Sequence, residues 1–473
     1  MFTQSRLALA LATTVFVIPQ MAFAGVTPAE AAKLGKELTP VGAEAGPNKD
    51  GSIPAWQGRQ FYQGKDPELL TLTHAKLEEY RKTKPDELES RFKKAIPPDF
   101  QNAQFEITKA NMGQYAAKLT EGQKAMLNKY PTFKMKVYKS VRPAFYPKEI
   151  EAATIANATS ATLTGTDDVK GAKLGFPFPI PKTGAEVIWN HKLKYRGTAA
   201  KRFNNQAIVK PDGSFTITKL IEDVKFKYAN LKEQPWDGKT YTMYMSESVA
   251  PPSKAGQILL ALETSDLSSG GRTAYIYSPG TARVTRAPDV GYDNPAINTD
   301  NEQYNDQIDV FNGALDRYTW KLVGKKEIYI PYNSLQINSP KLKYKDILKP
   351  FHVNPEYPRY ELHRVWVVDA TLKPGTRHNF SRRTFYVDED SWSIAAVDCY
   401  DSRGQIWKVQ EAHLLPVPFV QTTTGIPELI YDLQSTRYFA TTLANEDTTT
   451  DFEVNYDDKY FTPENIKRKA KAK

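Results

Sequence analysis

From about Asn204 to Phe439 the hydrophobic residues of this chain recur with a period of two, and turn residues interrupt them far more often than helices do. Phe215 and Ile217, then Val224, Phe226 and Tyr228, alternate with polar neighbours such as Lys225 and Lys227, and Pro211-Asp212-Gly213 supplies a hairpin turn. Short strands are expected at Tyr241–Met245, Ile258–Leu262, Thr273–Tyr277 and Arg283–Arg286, separated by Pro-Pro, Ser-Gly-Gly and Pro-Gly breaks. A helix is expected over Asn301–Leu315. Strands resume at Tyr318–Ile330, Tyr360–Leu372, Arg377–Val387, Ile394–Tyr400, Gln405–Val409 and Ile430–Phe439. So many strands with so few helices between them call for an antiparallel sheet, because parallel strands need crossovers of a dozen or more residues.

The expected fold is therefore α+β and β-dominated, a large curved antiparallel sheet with a helix-containing N-terminal cap. In Tyr360–Leu372 one face carries Tyr360, Leu362, Trp366, Val368, Ala370 and Leu372, while the other mixes Glu361, His363, Val365, Val367 and Asp369. Neighbouring strands are rich in aromatic residues, which either form the sheet core or line a ligand cavity. A curved sheet of this size encloses space that helices or an apolar ligand must fill. Phe226, Tyr275, Tyr277, Trp320, Trp366 and Val368 are the candidate lining residues of such a cavity.

Upstream of the sheet the pattern divides the chain of 473 residues further. Residues 1–24 read as a secretory leader: Arg6, an apolar run from Leu7 to Ile18, and Ala22-Phe23-Ala24 before Gly25. That run is too short to span a bilayer, which takes ~20 apolar residues. The expectation is an exported, periplasmic protein. Residues 25–65 form an extended segment, opened by a short helix with Thr27 as its cap and Pro28 at its first position. Within it Asn48-Lys49-Asp50-Gly51 is a turn and not a calcium loop, since Gly46 stands where the first acidic ligand would be needed. Residues 66–200 are helix-rich, with a helix expected over Glu149–Leu163. Residues 201–460 carry the antiparallel sheet, and 461–473 a basic tail; the resemblance given below implies that the first of these is a lid and the second a half-barrel.

Charge narrows the function. The formal net charge is +9. With Arg6 removed the side-chain charge is +8, and the five basic residues between Lys467 and Lys473 leave only +3 for the body. Nucleic-acid binding is not expected; the tail is a solvated end or a contact for anionic headgroups.

Reactive constellations are missing from the sequence. There is no Gly-x-Ser-x-Gly elbow and no supported Ser-x-x-Lys. The single Cys399 lies inside a strand and is expected to be buried and structural. His74, His191, His352, His363, His378 and His413 show no metal-ligand spacing, so neither a metal nor a cofactor is expected. Gly165, Gly171 and Lys173 lack the spacing of a phosphate-binding loop. The acidic run Asp289, Asp293, Asp300, Glu302, Asp306 and Asp309 is read as a solvated loop and helix face in preference to a cation cage.

Several segments carry a family resemblance: Leu38-Thr-Pro-Val-Gly-Ala-Glu44 with Asp50-Gly-Ser-Ile-Pro-Ala-Trp56, Arg286-Ala-Pro288, Phe311 to Lys326, and Arg359-Tyr-Glu-Leu-His-Arg-Val-Trp-Val-Val368. Together they resemble a Gram-negative exported family of unknown function, whose members are often labelled outer-membrane lipoprotein-sorting proteins. Phe385 to Trp392 followed by Asp398 to Trp407 is similar to the strand-turn-strand of Lol-type lipoprotein carriers. The resemblance implies a periplasmic half-barrel with a helical lid and an apolar cavity, and no catalytic motif. It also implies service to an envelope export system, with an inner-membrane exporter of the resistance-nodulation-division type and an outer-membrane partner. The long N-terminal third departs from small lipoprotein carriers. Three readings follow: a non-catalytic carrier for a lipid, acyl chain or other hydrophobic compound; an adaptor subunit of an exporter without its own ligand; or an envelope enzyme with a polar constellation in its cleft.

Overall fold

A computed structural model of the chain describes residues 25–265, 271–287 and 291–471. The leader read at 1–24 lies outside these residues. Two short strands, β1 (Phe105–Ile107) and β2 (Met135–Tyr138), precede a separate hairpin of β3 (Thr162–Thr164) and β4 (Asp168–Lys170). A first meander follows: β5 (Ala199–Val209), β6 (Phe215–Lys225), β7 (Thr240–Ala250), β8 (Ile258–Thr264), β9 (Arg272–Ser278) and β10 (Arg283–Arg286). The second meander is β11 (Tyr318–Pro331), β12 (Tyr360–Leu372), β13 (Arg382–Asp388), β14 (Ile394–Tyr400), β15 (Ile406–Val417), β16 (Thr422–Asp432) and β17 (Tyr438–Leu443).

The two meanders become one 15-stranded sheet because β17 pairs antiparallel with β5, with Tyr438 opposite Val209 and Ala440 opposite Ala207. The sheet stays open, since among the described residues β10 pairs with β9 and β11 with β12, each along one side. The expected strand-dominated α+β architecture is observed. The β5–β6 hairpin shows why the local sequence works: Gly213 sits at φ 83°, and Asp212 Oδ1 accepts from Ser214 N at 2.9 Å.

Helices cover both faces, which explains why the polar-looking side of β12 is buried. The helix Gly184–Lys192, capped by Thr183 and Glu186, sits directly on the sheet. A Cβ on Gly184 would come within 2.8 Å of Val368 Cγ1, so only glycine permits this approach. The helix Glu121–Lys129 meets the opposite surface through a polar cluster: Asp398 Oδ1 accepts from Gly122 N at 3.0 Å and from Thr120 Oγ1 at 3.1 Å. Glu361 and His363 are fully buried there, with Glu361 accepting from Val141 N, Asn333 and Arg359.

Three local expectations are overturned. Asn301–Leu315 is no α-helix; only a 3₁₀ turn forms at Asn305–Gln307, and Asn301, Asp309 and Val310 have positive φ. The reason is electrostatic. Each acid that would stud a solvated helix face is instead drawn to its own base: Glu302 to Lys408 at 3.2 Å, Asp306 to Arg383 at 2.8 Å and His378 at 2.9 Å, Asp293 to Arg317 at 2.8 Å. Glu302 and Asp306 are buried; Asp289 lies outside the described residues. Second, Ile430–Phe439 is two strands, because Asp432 Oδ1 accepts from Gln434 N and Ser435 N and turns the chain. Third, the basic tail is not frayed: Pro463–Lys471 is a helix that buries Ile466, next to buried Phe461, against β8, β9 and β10.

Arg142 ties the N-terminal extended segment to the sheet. Its guanidinium is 1% exposed and donates to both oxygens of Asp390 (2.9 and 2.7 Å), to Glu389 Oε1 (3.1 Å), and to the carbonyls of Glu44 (2.7 Å) and Pro54 (3.1 Å). Such a bidentate, fully used pair is costly to break, since removing the cation leaves buried Asp390 uncompensated, while Glu389 keeps Arg364 and Lys325, each at 2.7 Å. Arg142→Met is expected to lower the unfolding free energy by about 3–5 kcal/mol in a urea titration. A loss under about 1 kcal/mol would show that the pair barely offsets its own desolvation.

Candidate functional site

Where the two meanders join, the backbone ladder is interrupted. The register between β17 and β5 shifts between Ala440 and Leu443, with Thr442 at φ 59°. Side chains take over from the ladder: Asn204 Oδ1 accepts from Thr442 N at 2.7 Å and from Thr441 Oγ1 at 3.0 Å, and Asn205 Nδ2 donates to Leu443 O at 3.2 Å. Bulges of this kind bend the strand and end pairing locally.

A cavity of about 560 Å³ opens at this junction. Its roof is the helix pair His74–Thr83 and Pro85–Ala95, which contributes Leu77, Leu88 and Phe92. Apolar walls come from Phe203 and Phe226 on the first meander, Leu415 and Phe419 after it, and Phe452 near the C-terminus. The roof is fastened by polar contacts around its rim. Arg81 Nη2 donates to Ala444 O at 2.7 Å, Glu78 Oε1 accepts from Thr449 N at 2.9 Å, and Lys341 pairs with Asp86 and with Glu89 at 3.1 Å. Lys93, Gln101 and Lys341 also line a surface groove of about 470 Å³ beside the roof, which marks the mouth.

The floor is charged. Asp309 accepts from Lys194 Nζ at 3.0 Å and from Arg196, and its own carbonyl faces His191 Nε2 at 2.9 Å. Burial alone would raise the Asp309 carboxyl, yet Arg196 and Lys194 hold it well below the usual range. Burial lowers Lys194 to about 8 and His191 to about 3, so the imidazole is neutral. Glu428 accepts from Val310 N at 3.2 Å, and burial, reinforced by the neighbouring Asp309, pushes its carboxyl well up. A second, polar space of about 80 Å³ shares Arg202, Asn204, Asp309, Glu428 and Thr442 with the larger cavity.

Of the six lining candidates read from the sequence, Phe226 stands on the cavity wall, where Arg196 lies 4.8 Å over its ring. Trp320 and Val368 pack in the core beneath the helix Gly184–Lys192, and Trp366 stacks on Trp392 at 6.2 Å. Tyr275 and Tyr277 lie under the C-terminal helix. The structure thus does not bring these six together. Strand alternation marks which residues turn inward, but not where helices fill the concave face and where they leave it open. Asp309, read from the sequence as part of a solvated acidic face, lies instead on the cavity floor, and Arg196, Arg202 and Glu428 were missed, although polar residues inside a strand pattern, as in Arg202-Phe203-Asn204, are the signal that could have flagged them.

Elsewhere the described residues bring together one group with metal-capable atoms, His363, Asp388 and Asp390, whose ligand atoms lie within 4.8 Å of one another. Arg142 occupies both oxygens of Asp390, and Asp388 Oδ2 accepts from Ser391 N, Ser391 Oγ and Tyr332. This is an ion-pair node. Cys399 is fully buried, and burial pushes its thiol far above the ordinary value, which suits a packing role.

Comparison with known sequences places the fold in a family. The profile of a protein of unknown function (DUF1329) matches residues 106–467, and an uncharacterized protein, PA3922, of Pseudomonas aeruginosa is 41% identical over 452 residues, 94% of either chain. The chain belongs to the DUF1329 family. The resemblance read from its tryptophan-centred segments is thereby confirmed. Among solved structures, this DUF1329 chain is similar to a DUF1329 family protein from Desulfovibrio piger, at 14% identity over 60% of this chain and 97% of that one, with a TM-score of 0.42. It is also similar to a protein described as an outer membrane lipoprotein-sorting protein domain from Vibrio parahaemolyticus, at 11% identity, 61% and 99% coverage, and a TM-score of 0.42. A LolA superfamily protein from Nitrosomonas europaea matches at 11% identity, 60% and 98% coverage, and a TM-score of 0.37.

The floor of the DUF1329 cavity predicts a pH dependence. A buried carboxyl raised above its unfolded value of 4.5 stabilises the fold below that value, and this contribution fades as pH rises toward the folded value. Glu428→Gln keeps the acceptor for Val310 N without the ionisation. Its thermal midpoint is expected to fall less than that of the parent chain between mildly acid and alkaline pH, as read by calorimetry. Parallel curves would exclude Glu428 as a source of the dependence.

Proposed function

We propose that this protein is a non-catalytic carrier for a hydrophobic molecule, such as a lipid, an acyl chain or another apolar compound, working in the periplasm for an envelope export system. The observation that carries this reading is the cavity of about 560 Å³ between the helical roof and the sheet, walled by Phe203, Phe226, Phe419 and Phe452. Its volume lies within the 300–1,000 Å³ range typical of small-molecule sites. Burying an apolar chain there gains ~0.8 kcal/mol per methylene, which is enough for useful affinity without any reactive group. Leu77, Tyr80 and Leu88 hold the roof helices in an apolar cluster with Val141 and Phe145, and the polar contacts at the rim support loading and release, because those groups exchange protein partners for water at small net cost. The periplasmic setting and the exporter rest on the leader-like N-terminus and on the resemblance described above. Among the described residues no helix is long and apolar enough to cross a membrane.

Organic extraction and mass spectrometry of protein purified from its native compartment is expected to yield a stoichiometric apolar ligand. Thr424, which lines the cavity on β16, offers a control: Thr424→Trp fills the space, and at least about a tenfold loss of ligand or of bound N-phenylnaphthylamine is expected. Absence of any extractable ligand, with dye binding equal in both proteins, would overturn the carrier reading.

A further inference from the structure

The cavity has apolar walls and charged groups at both its rim and its floor. Five cationic residues line it, Arg81, Lys93, Arg196, Arg202 and Lys341, against the three acids Glu89, Asp309 and Glu428. At the roof and rim Arg81 lies 3.7 Å from Glu78 and Lys341 pairs with Asp86 and Glu89, while Lys93 makes no ion pair among the described residues. The floor is different. Arg196 Nε is shut off from solvent and has no hydrogen-bond partner, while its Nη1 serves Asp309. Arg202 Nε lies 2.8 Å from Glu222 Oε2 but out of hydrogen-bond alignment, so both atoms stay unsatisfied. Buried donors are nearly always paired, and although these two Nε atoms are closed off, the exposed remainder of each side chain, 15% for Arg196 and 28% for Arg202, borders the open space where an acceptor can arrive. Asp309 is already shared by Lys194 and Arg196, and the raised Glu428 carboxyl adds little negative charge at neutral pH. The adjoining polar space of about 80 Å³, lined by Asn204, Gln206, Ser246 and Thr441, gives room for a headgroup and its water.

We infer that the molecule carried is a single-chain amphiphile with an anionic headgroup, seated head inward against Arg196 and Arg202 with its apolar arm under Leu77, Leu88 and Phe92. This rests on the carrier reading above and specifies its ligand class. A carboxylate and a phosphate monoester share the chemistry that the two guanidinium groups recognise, namely clustered acceptor oxygens with negative charge. A cationic amphiphile would place like charge on Arg196 and Arg202 in a site with little water to screen it.

The test uses the full chain, stripped of endogenous lipid on a hydrophobic resin, with N-phenylnaphthylamine displaced by dodecanoate, dodecyl phosphate, dodecanol or dodecyltrimethylammonium. One or both anionic probes are expected to compete at least about tenfold more tightly than dodecanol, and the cationic probe less tightly than dodecanol. Which anion prevails separates a fatty acid from a lysophospholipid-like source. In Arg196→Gln and in Arg202→Gln the ratio of anionic to neutral affinity is expected to fall toward one, whereas Arg196→Lys, which keeps the charge, retains most of it. Circular dichroism melts identify any variant that has lost its fold, and the probe series on the parent chain decides the matter without them. Equal affinity for dodecanol and both anions overturns the headgroup assignment and leaves the carrier reading standing. Failure of every probe to displace dye, with Thr424→Trp binding dye as well as the parent, overturns the carrier reading itself.

Discussion

The antiparallel pairing of β17 with β5 is the contact on which the rest of this architecture depends. Each meander is built from near neighbours in sequence, so each can form its ladders locally. The pairing that makes one sheet of them joins strands from opposite ends of the body, Tyr438 to Val209 and Ala440 to Ala207. Closing so long a loop carries an entropy cost that local hairpins do not. Tyr438, Phe439 and Ala440 meet that cost by burial: all three are at most 1% exposed.

The same junction makes the cavity. Continuous ladders on both sides of β17 would leave no reason for the sheet to part from its cover. The shift after Ala440, stabilised by Asn204 and Asn205 in place of backbone partners, bends the chain and lets residues 444–452 rise to meet the helix pair above. Farther along the sheet, the helix Gly184–Lys192 and the segment around Phe311 pack against β12 and β13 and leave no space. One curved sheet thus has a filled half and an open half, and the cavity lies in the open one.

Buried ion pairs run through the molecule: Arg142 with Asp390, Arg383 with Asp306, Lys408 with Glu302, Arg196 with Asp309. Each holds a long irregular segment against the sheet, where backbone ladders cannot reach. Such pairs contribute little net stability over well-packed apolar residues, but they penalise any arrangement that separates the partners. Across the long extended and irregular connections of this chain, that penalty fixes where the connections lie. Arg196 and Arg202 carry unsatisfied donors, as Arg383 does, but their side chains border the cavity.

The sequence by itself determined the class of fold. Period-two alternation, Gly and Pro punctuation and the scarcity of intervening helices are local properties, and β12, β14 and β10 lie where the alternation placed them. Family membership was equally legible, because the tryptophan-centred segments are contiguous in sequence. What only the tertiary structure decided was which inward side chains face a helix and which face empty space. Trp320 and Val368 show the same pattern as Phe226, yet a helix docks on the first two and the cavity borders the third. Asn301–Leu315 failed as a helix for a related reason: the partners of its acids Glu302, Asp306 and Asp309, namely Lys408, Arg383 and Lys194, lie elsewhere in the chain, and pairing with them outweighed local helical propensity. Local pattern sets the direction of a side chain, whereas distant segments meeting across the sheet set what that side chain touches.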